Sequence, residues 1–327
     1  MVFSVEDYPR TLSELEARFG TEQACRDYLL KLRWPEGFVC PRCGTRSAWT
    51  TNRSLLVCAR CQYQGSLTAG TIFQDTRKPL ALWFRAIWWV TTQKNGASAL
   101  GLQRILGLGS YVTAWTWLHK LRRAMVRPGR DRLSGRVEVD ETYVGGLEEG
   151  VRGRQTETKA LVAIACEEDG SGVGRIRLRH IQDASAASLH GFVQEAIEPG
   201  SVVHTDGWDG YAGLEAKGYQ HKVTVLQRRR RSPSELLPRV HLVASLLKRW
   251  LLGTHQGAVS PDHLAYYLDE FTFRFNRRRS RSRGKLFYRL LQQAVAVEPA
   301  PYKGLVGGTW NQTRHSQPQH VGATGVK

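Results

Sequence analysis

Apolar positions recur close to a 3.6-residue period from residue 11 to 33. Thr11, Leu12, Leu15 and Phe19 are followed by Cys25, Tyr28, Leu29 and Leu32, which predicts an N-terminal helical segment over residues 1–35. Trp34-Pro35-Glu36-Gly37 stops that pattern. Over residues 36–70 short β-type stretches, Ser47 to Thr50 and Leu55 to Val57, predict hairpins instead. Helical character returns after Lys78-Pro79 with Leu80, Leu82, Trp83, Ile87, Trp88 and Val90. Two more helices, 98–106 and 111–125, flank a glycine-bearing turn at Gly107 to Ser110, and this gives residues 78–128 a helix-turn-helix outline. Its second helix is expected to present Tyr111, Thr113, Thr116, His119, Lys120, Arg122 and Arg123 to phosphates and base edges. Trp83, Trp88, Trp89, Trp115 and Trp117 read as core packing.

Arg127-Pro128-Gly129-Arg130 has the composition of a linker, and beyond it the pattern shifts towards strands. Strands are predicted over 135–144, 159–166 and 174–181, then an amphipathic helix over 184–198 and a short buried strand over 201–204. A helical stretch over 209–217, a strand over 221–225 and helices over 239–252 and 261–277 follow. This order describes a mixed α/β sheet of the RNase-H-like type, in a domain over 133–292. From Pro299 the chain is rich in Gly, Thr, Gln and His without periodicity, so residues 293–327 are expected to form a flexible tail.

The cysteines add a metal. Cys40-Pro41-Arg42-Cys43 and Cys58-Ala59-Arg60-Cys61 are two CxxC knuckles with 14 residues between them, the spacing of a structural Cys₄ zinc ribbon. Four thiolates close the tetrahedron, so this Zn²⁺ holds a fold and the chemistry lies elsewhere. Cys25 and Cys166 read as buried thiols, and the whole set fits a reducing compartment better than a disulfide framework. Lys plus Arg number 47 against 29 acids, a net charge of +18, which points to a polyanionic partner. With no apolar run of about 18 residues and no signal-peptide pattern, the expectation is a soluble intracellular protein without membrane contact.

Two carboxylates are candidates for catalysis. Asp140 lies in Val137-Glu138-Val139-Asp140-Glu141-Thr142-Tyr143, where strict alternation puts Glu138 and Asp140 on one face of a strand. Asp206 follows the apolar strand Val202-Val203-His204. Hard oxygen ligands at neighbouring strand ends suit Mg²⁺ or Mn²⁺, and ions held there would activate a hydroxyl for in-line phosphodiester displacement.

Val137 to Gly146, the later Thr205-Asp206-Gly207-Trp208-Asp209-Gly210-Tyr211 and Ser245-Leu246-Leu247-Lys248-Arg249-Trp250 resemble bacterial insertion-sequence transposases. The resemblance is to the DDE-type class in its ISXO2-like branch, with a zinc ribbon ahead of an RNase-H-like catalytic domain. It implies metal-dependent cleavage at element ends (terminal inverted repeats) and transfer of 3′-hydroxyls into target DNA, by a homo-oligomer of at least two copies on DNA in the bacterial cytoplasm, associated with the nucleoid. Many relatives carry a Glu seven residues before the lysine of the Ser-Leu-Leu-Lys motif; here that position is His241. The resemblance therefore implies His241 as the third metal ligand, with Glu235 and Glu270 as fallbacks, and Lys248 as a phosphate contact. Arg228, Arg229, Arg230 and Arg231, together with Arg249, Arg277 and Arg278, extend the expected DNA footprint. A non-catalytic zinc-ribbon regulator, or a domesticated derivative, is the alternative from another class, and a metal-dependent nuclease without strand transfer stands between the two.

Overall fold

The computed structural model describes residues 6–127, 129–146, 159–224, 236–257 and 259–307. Helices α1 (Leu12–Phe19) and α2 (Glu22–Arg33) replace the single N-terminal helical segment, because Thr21 breaks out of helical geometry and caps α2 through its side chain. Strands β1 (Ala48–Thr50), β2 (Leu55–Cys58) and β3 (Gln64–Ser66) form the antiparallel ribbon sheet. Helices α3 (Leu80–Thr92), α4 (Ala99–Leu106) and α5 (Tyr111–Ala124) follow. Ser98 and Ser110 cap α4 and α5, and Gly107 ends α4 at φ 60°, a left-handed position that favours glycine.

The second half is built on β4 (Arg136–Val144), β5 (Ala160–Asp169), β6 (Gly172–Ile181), β7 (Val202–Thr205) and β8 (Gln220–Val223). Their order across the sheet is β6-β5-β4-β7-β8. The first three strands pair antiparallel, while β7 and β8 run parallel to β4. This arrangement is the RNase-H-like sheet, and the parallel join is made by the crossover helix α6 (Ala186–Ala196) between β6 and β7. The stretch 209–217 is two short 3₁₀ turns, Asp209–Tyr211 and Glu215–Lys217, where glycines at 210, 213 and 218 interrupt a longer helix. Helices α7 (Pro238–His255), α8 (Pro261–Asn276), α9 (Arg283–Ala294) and α10 (Tyr302–Val306) close the chain.

Strand alternation divides the sheet's side chains. Val137, Val139, Ala163 and Ala165 pack under α6, whereas Val162, Ile164 and Cys166 pack under α7 and α8. A third core joins α1, α2, α3, α4 and α5 to α9, through Phe19, Phe84, Trp83, Trp117 and Phe287. Trp83 and Trp117 stack with ring centroids 3.8 Å apart, so these tryptophans do serve packing. Helix α9 is seated among the N-terminal helices so closely that a Cβ on Gly284 would collide with the Pro9 carbonyl. Residues 297–307 are packed too: Ala300 and Leu305 are buried against Tyr266, and the rest of the expected tail, 308–327, lies outside the described residues. Among the described residues no helix is long and apolar enough to cross a membrane.

Candidate active site and zinc centre

Hairpin β1–β2 and the knuckle turns bring Cys40, Cys43, Cys58 and Cys61 together, with all four sulfurs within 4.8 Å of one another. Cys40 Sγ is 3.6 Å from Cys61 Sγ, and Cys43 Sγ is 3.5 Å from Cys58 Sγ. Four sulfurs about 2.3 Å from a tetrahedral zinc would stand ~3.8 Å apart, so the donor set fits a structural Zn²⁺. Phe38 and Leu56 are buried beside it, with Trp34 and Tyr63 packed around them. Cys25 and Cys166 are buried elsewhere, as expected, and burial pushes the Cys25 thiol up to about 12.

The acid site lies at the sheet's centre. Asp140 pairs with Ile164 of β5, and Ile164 lies under α7 and α8, so the Asp140 carboxylate faces that side. Asp206 comes two residues after His204, which pairs with Glu138 in the parallel β4–β7 ladder. Extending that register sets Asp206 beside Asp140 at adjacent strand ends. Asp206 Oδ1 accepts from the Trp208 backbone N–H at 3.0 Å, which shapes the turn after β7. From the opposite direction, His241 on the first turn of α7 brings Nε2 to 3.7 Å from Asp140 Oδ2.

Burial holds the His241 imidazole below its usual pKa; the charges of Glu138 and Asp206 oppose this, and Lys248 adds to it. A neutral ring can act as a metal ligand. Lys248 is two turns farther along α7 and is itself lowered by burial and by Lys159, at the head of β5. The two lysines therefore stand close enough to repel one another. Asp140 and His241 are thus in direct contact and Asp206 is their neighbour. Among the described residues, however, only the four cysteines gather three or more donor atoms within 4.8 Å.

Sequence reasoning passed over four residues here. Glu138 is buried, and it holds the start of α7: Oε2 accepts from the backbone N–H of Arg239 (2.7 Å) and of Val240 (3.1 Å), while Oε1 accepts from Arg239 Nη1 (2.7 Å). Arg239 in turn donates to the carbonyls of Gly172 (2.9 Å) and Gly170 (2.8 Å), tying α7 to the β5–β6 turn. On the other face, the buried Tyr211 hydroxyl donates to Glu141 Oε2 at 2.7 Å. Burial raises its pKa, and the charges of Glu141, Asp140 and Asp206 raise it further. Lys159 is the fourth. The sequence signals for them were the alternation placing Glu138 beside Asp140 and the motif ending on Tyr211.

Several expectations need correction. Glu270 is fully buried among Arg122 (2.8 Å) and Arg274 (2.7 Å), so it serves that ion triad and is no third ligand. Arg122, expected to meet DNA, is the other end of that pair; it is 1% exposed and lies over the Tyr267 ring at 4.0 Å. His119 is likewise buried, because Leu118, Leu121 and Arg122 share an inward stripe of α5 against α8. Arg123 is half-buried, 3.8 Å from Glu298. Tyr111 stays exposed, as does Arg249. Arg277 and Arg278 stack on Phe273 and Phe275, and Arg278 also donates to the Val173 and Gly174 carbonyls. Glu235 and Arg228 to Arg231 lie outside the described residues.

Residues 132–276 match the family model of the ISXO2-like transposase domain, and residues 20–64 that of the transposase zinc-ribbon domain. Among solved structures, the crystal structure of the Mos1 strand transfer complex is similar at 14% identity and a TM-score of 0.27, covering 72% of this chain and 80% of that chain. No curated protein matches the chain.

Proposed function

We propose that this chain, which belongs to the ISXO2-like transposases fronted by a zinc ribbon, cleaves DNA at the ends of its mobile element and joins the freed 3′-hydroxyls to target DNA. The observation that carries the reading is the contact of Asp140 with His241, 3.7 Å apart, beside the strand end that bears Asp206. Asp140, Asp206 and His241 would hold Mg²⁺ or Mn²⁺, which when bound stabilises the charge of a phosphoryl displacement and lowers the pKa of the attacking hydroxyl. Two carboxylates and a neutral imidazole suit such an ion, although the imidazole tolerates Mn²⁺ better than Mg²⁺.

The chain's own residues do the rest. Lys248 and Lys159 set positive charge where a phosphate enters, which draws the scissile backbone towards the acids. Glu138 and Arg239 fix the first turn of α7, and with it the His241 ring. Tyr211 holds Glu141 from beneath the sheet and steadies the strand that carries Asp140. The ribbon (36–70) and the helix-turn-helix region (78–128) bind the element ends, and the sheet with helices α6 to α8 performs the cutting. Joining two ends requires at least a pair of active sites, hence a dimer or larger assembly on DNA.

The test is a strand-cleavage and joining assay on duplexes carrying the flanking element ends, with Mg²⁺ or Mn²⁺. Asp206→Ala and His241→Ala are expected to lower cleavage by ~10²–10³-fold, the usual cost of removing an electrostatic partner of the transition state. Activity retained in His241→Ala would remove the histidine from the site. Tight end binding by wild type with no cutting would make the chain a regulator.

A further inference from the structure

Away from the acids, a cavity of ≈ 610 Å³ opens between the helical bundle and the outer edge of the sheet. Arg127 and Arg130 reach it from the chain after α5, Arg175 and Arg177 from β6, and Arg277 from the end of α8. Lys285 and Arg289 of α9 close its far wall, and the lining carboxylates are Asp131 and Asp269. Some of these cations are matched: Glu167 pairs with Arg175 at 2.6 Å, Asp131 with Arg127 at 3.5 Å, and Glu6 with both Lys285 and Arg289. Among the described residues, no carboxylate lies within salt-bridge distance of Arg130, Arg177 or Arg277.

Arg177 is the telling member. It is only 6% exposed, and its guanidinium donates to two backbone carbonyls, of Ile176 and Asp131. Burial first, then the neighbouring Arg130 and Arg175, push its pKa down to about 10, against the opposing charges of Glu167 and Asp131. Arg277 is lowered by burial and by Arg289 and Arg127. Cations that repel one another across a shared cavity are a charge arrangement that an anion completes.

We propose that this cavity holds backbone phosphates of DNA, as an anchoring site separate from the acid centre and indifferent to sequence. The assignment rests on the reading of the chain as a DNA-acting transposase. Arg177 lies in the same row as Val139 of β4, two strands across the sheet, so ~10 Å of backbone separates the cavity's edge from the strand that bears Asp140. Guanidinium forks match phosphate oxygens in pairs. The lining aromatic, Phe273, is buried and capped by Arg277 at 4.1 Å, so no open ring face is offered for base stacking. A site of this make-up grips the backbone and reads no bases.

The experiment measures how binding of the full-length chain to a duplex of unrelated sequence depends on salt, for wild type, Arg127→Ala/Arg130→Ala and the charge-only variant Arg130→Gln. Thermal melting verifies that each variant is folded. Each lost phosphate contact should make the slope of log K against log salt shallower by about 0.9, so the double variant should lose roughly two units. Unchanged slopes in folded variants would overturn the cavity assignment while leaving DNA binding intact. A wild-type chain that binds no duplex would overturn the DNA reading and the cavity together. Pyrophosphate is the second probe: if it raises the melting temperature of wild type but not of the double variant, with duplex slopes equal, the site takes free phosphates and not DNA.

Discussion

In the zinc ribbon all four donors lie between residues 40 and 61 and are of one chemical kind, and two local turns suffice to gather them within 4.8 Å. The acid centre draws Asp140, Asp206 and His241 from β4, the end of β7 and α7, and the contact between Asp140 and His241 spans 3.7 Å. The first site is written into a short stretch of chain and closes on itself. The second exists only when a sheet, a crossover helix and a distant helix are correctly packed, so its geometry depends on residues such as Glu138 and Arg239 that touch no reacting atom. Local assembly suits a site that holds a fold, and long-range assembly suits the catalytic role proposed for the acids.

The largest effect should come from breaking the ribbon. Cys58→Ser is expected to abolish stoichiometric zinc binding and unfold β1–β3, since structural zinc contributes on the order of 10–16 kcal/mol in such modules. Metal analysis would show the loss of zinc, and hydrogen exchange would show lost protection over Leu55–Cys58. The central strands, Arg136–Val144 and Ala160–Asp169, should keep their protection, because their cores share no residue with the ribbon's. Equal loss in both places would mean that the ribbon's independence is illusory.

The next break targets a link that only the assembled half depends on. Glu270 of α8 binds Arg122 of α5, while Arg274 donates to the carbonyls of Val90 and Gln93 at the end of α3, so one buried triad fastens the helical bundle to the helices that back the sheet. Removing one member of a buried pair typically costs about 3–5 kcal/mol, so Glu270→Gln should be destabilised by that order in urea unfolding while its zinc content stays whole. The triad also sets a pH dependence. Burial raises the pKa of Glu270, but Arg274 and Arg122 outweigh it and hold the carboxyl at about 2, below its ordinary 4.5. A depressed carboxylate contributes stability that is complete above the unfolded value and is lost as pH falls from about 4.5 through about 2. Wild type should therefore lose more stability than Glu270→Gln across that window.

The same contrast explains what the sequence made legible. CxxC spacing is a local signal, and the cysteine cluster forms where it predicts. Strand alternation and the apolar run before Asp206 likewise marked the two aspartates as candidates, and the predicted succession of five strands along the chain is the one the sheet is built from. Periodicity cannot say which stripe of one helix meets which partner. Helix α5 was therefore expected to face outward at His119 and Arg122, both of which are buried against α8. For the same reason α9, which packs with α1 and α3, was assigned to the sheet-bearing domain. Alternation put Glu138 on the Asp140 face without giving it a role, and its partner lies a hundred residues away in a helix whose start the sequence marks only with Pro238.

The smallest effect tests the comparison most finely. Glu138→Gln keeps the shape of the side chain but removes the charge that holds Arg239 and the first N–H groups of α7. Negative charge at a helix N-terminus is stabilising, and a carboxylate accepting from a guanidinium forms one of the stronger hydrogen bonds in proteins. With the amide, the first turn of α7 loosens and the His241 ring loses its fixed distance from Asp140. Partners that orient ligands in this way typically affect metal affinity by about 10–100-fold, and the low end is expected here because Arg239 keeps its bonds to Gly170 and Gly172. Calorimetric titration of Mn²⁺ into the zinc-loaded chain would read the change directly, without any DNA present. A weakened Mn²⁺ affinity with normal zinc content and a nearly unchanged melting temperature is the signature of a positioning residue. A large fall in melting temperature with unchanged affinity would instead make Glu138 a purely structural strut, and the acid centre would then be less dependent on its scaffold than the comparison with the ribbon implies.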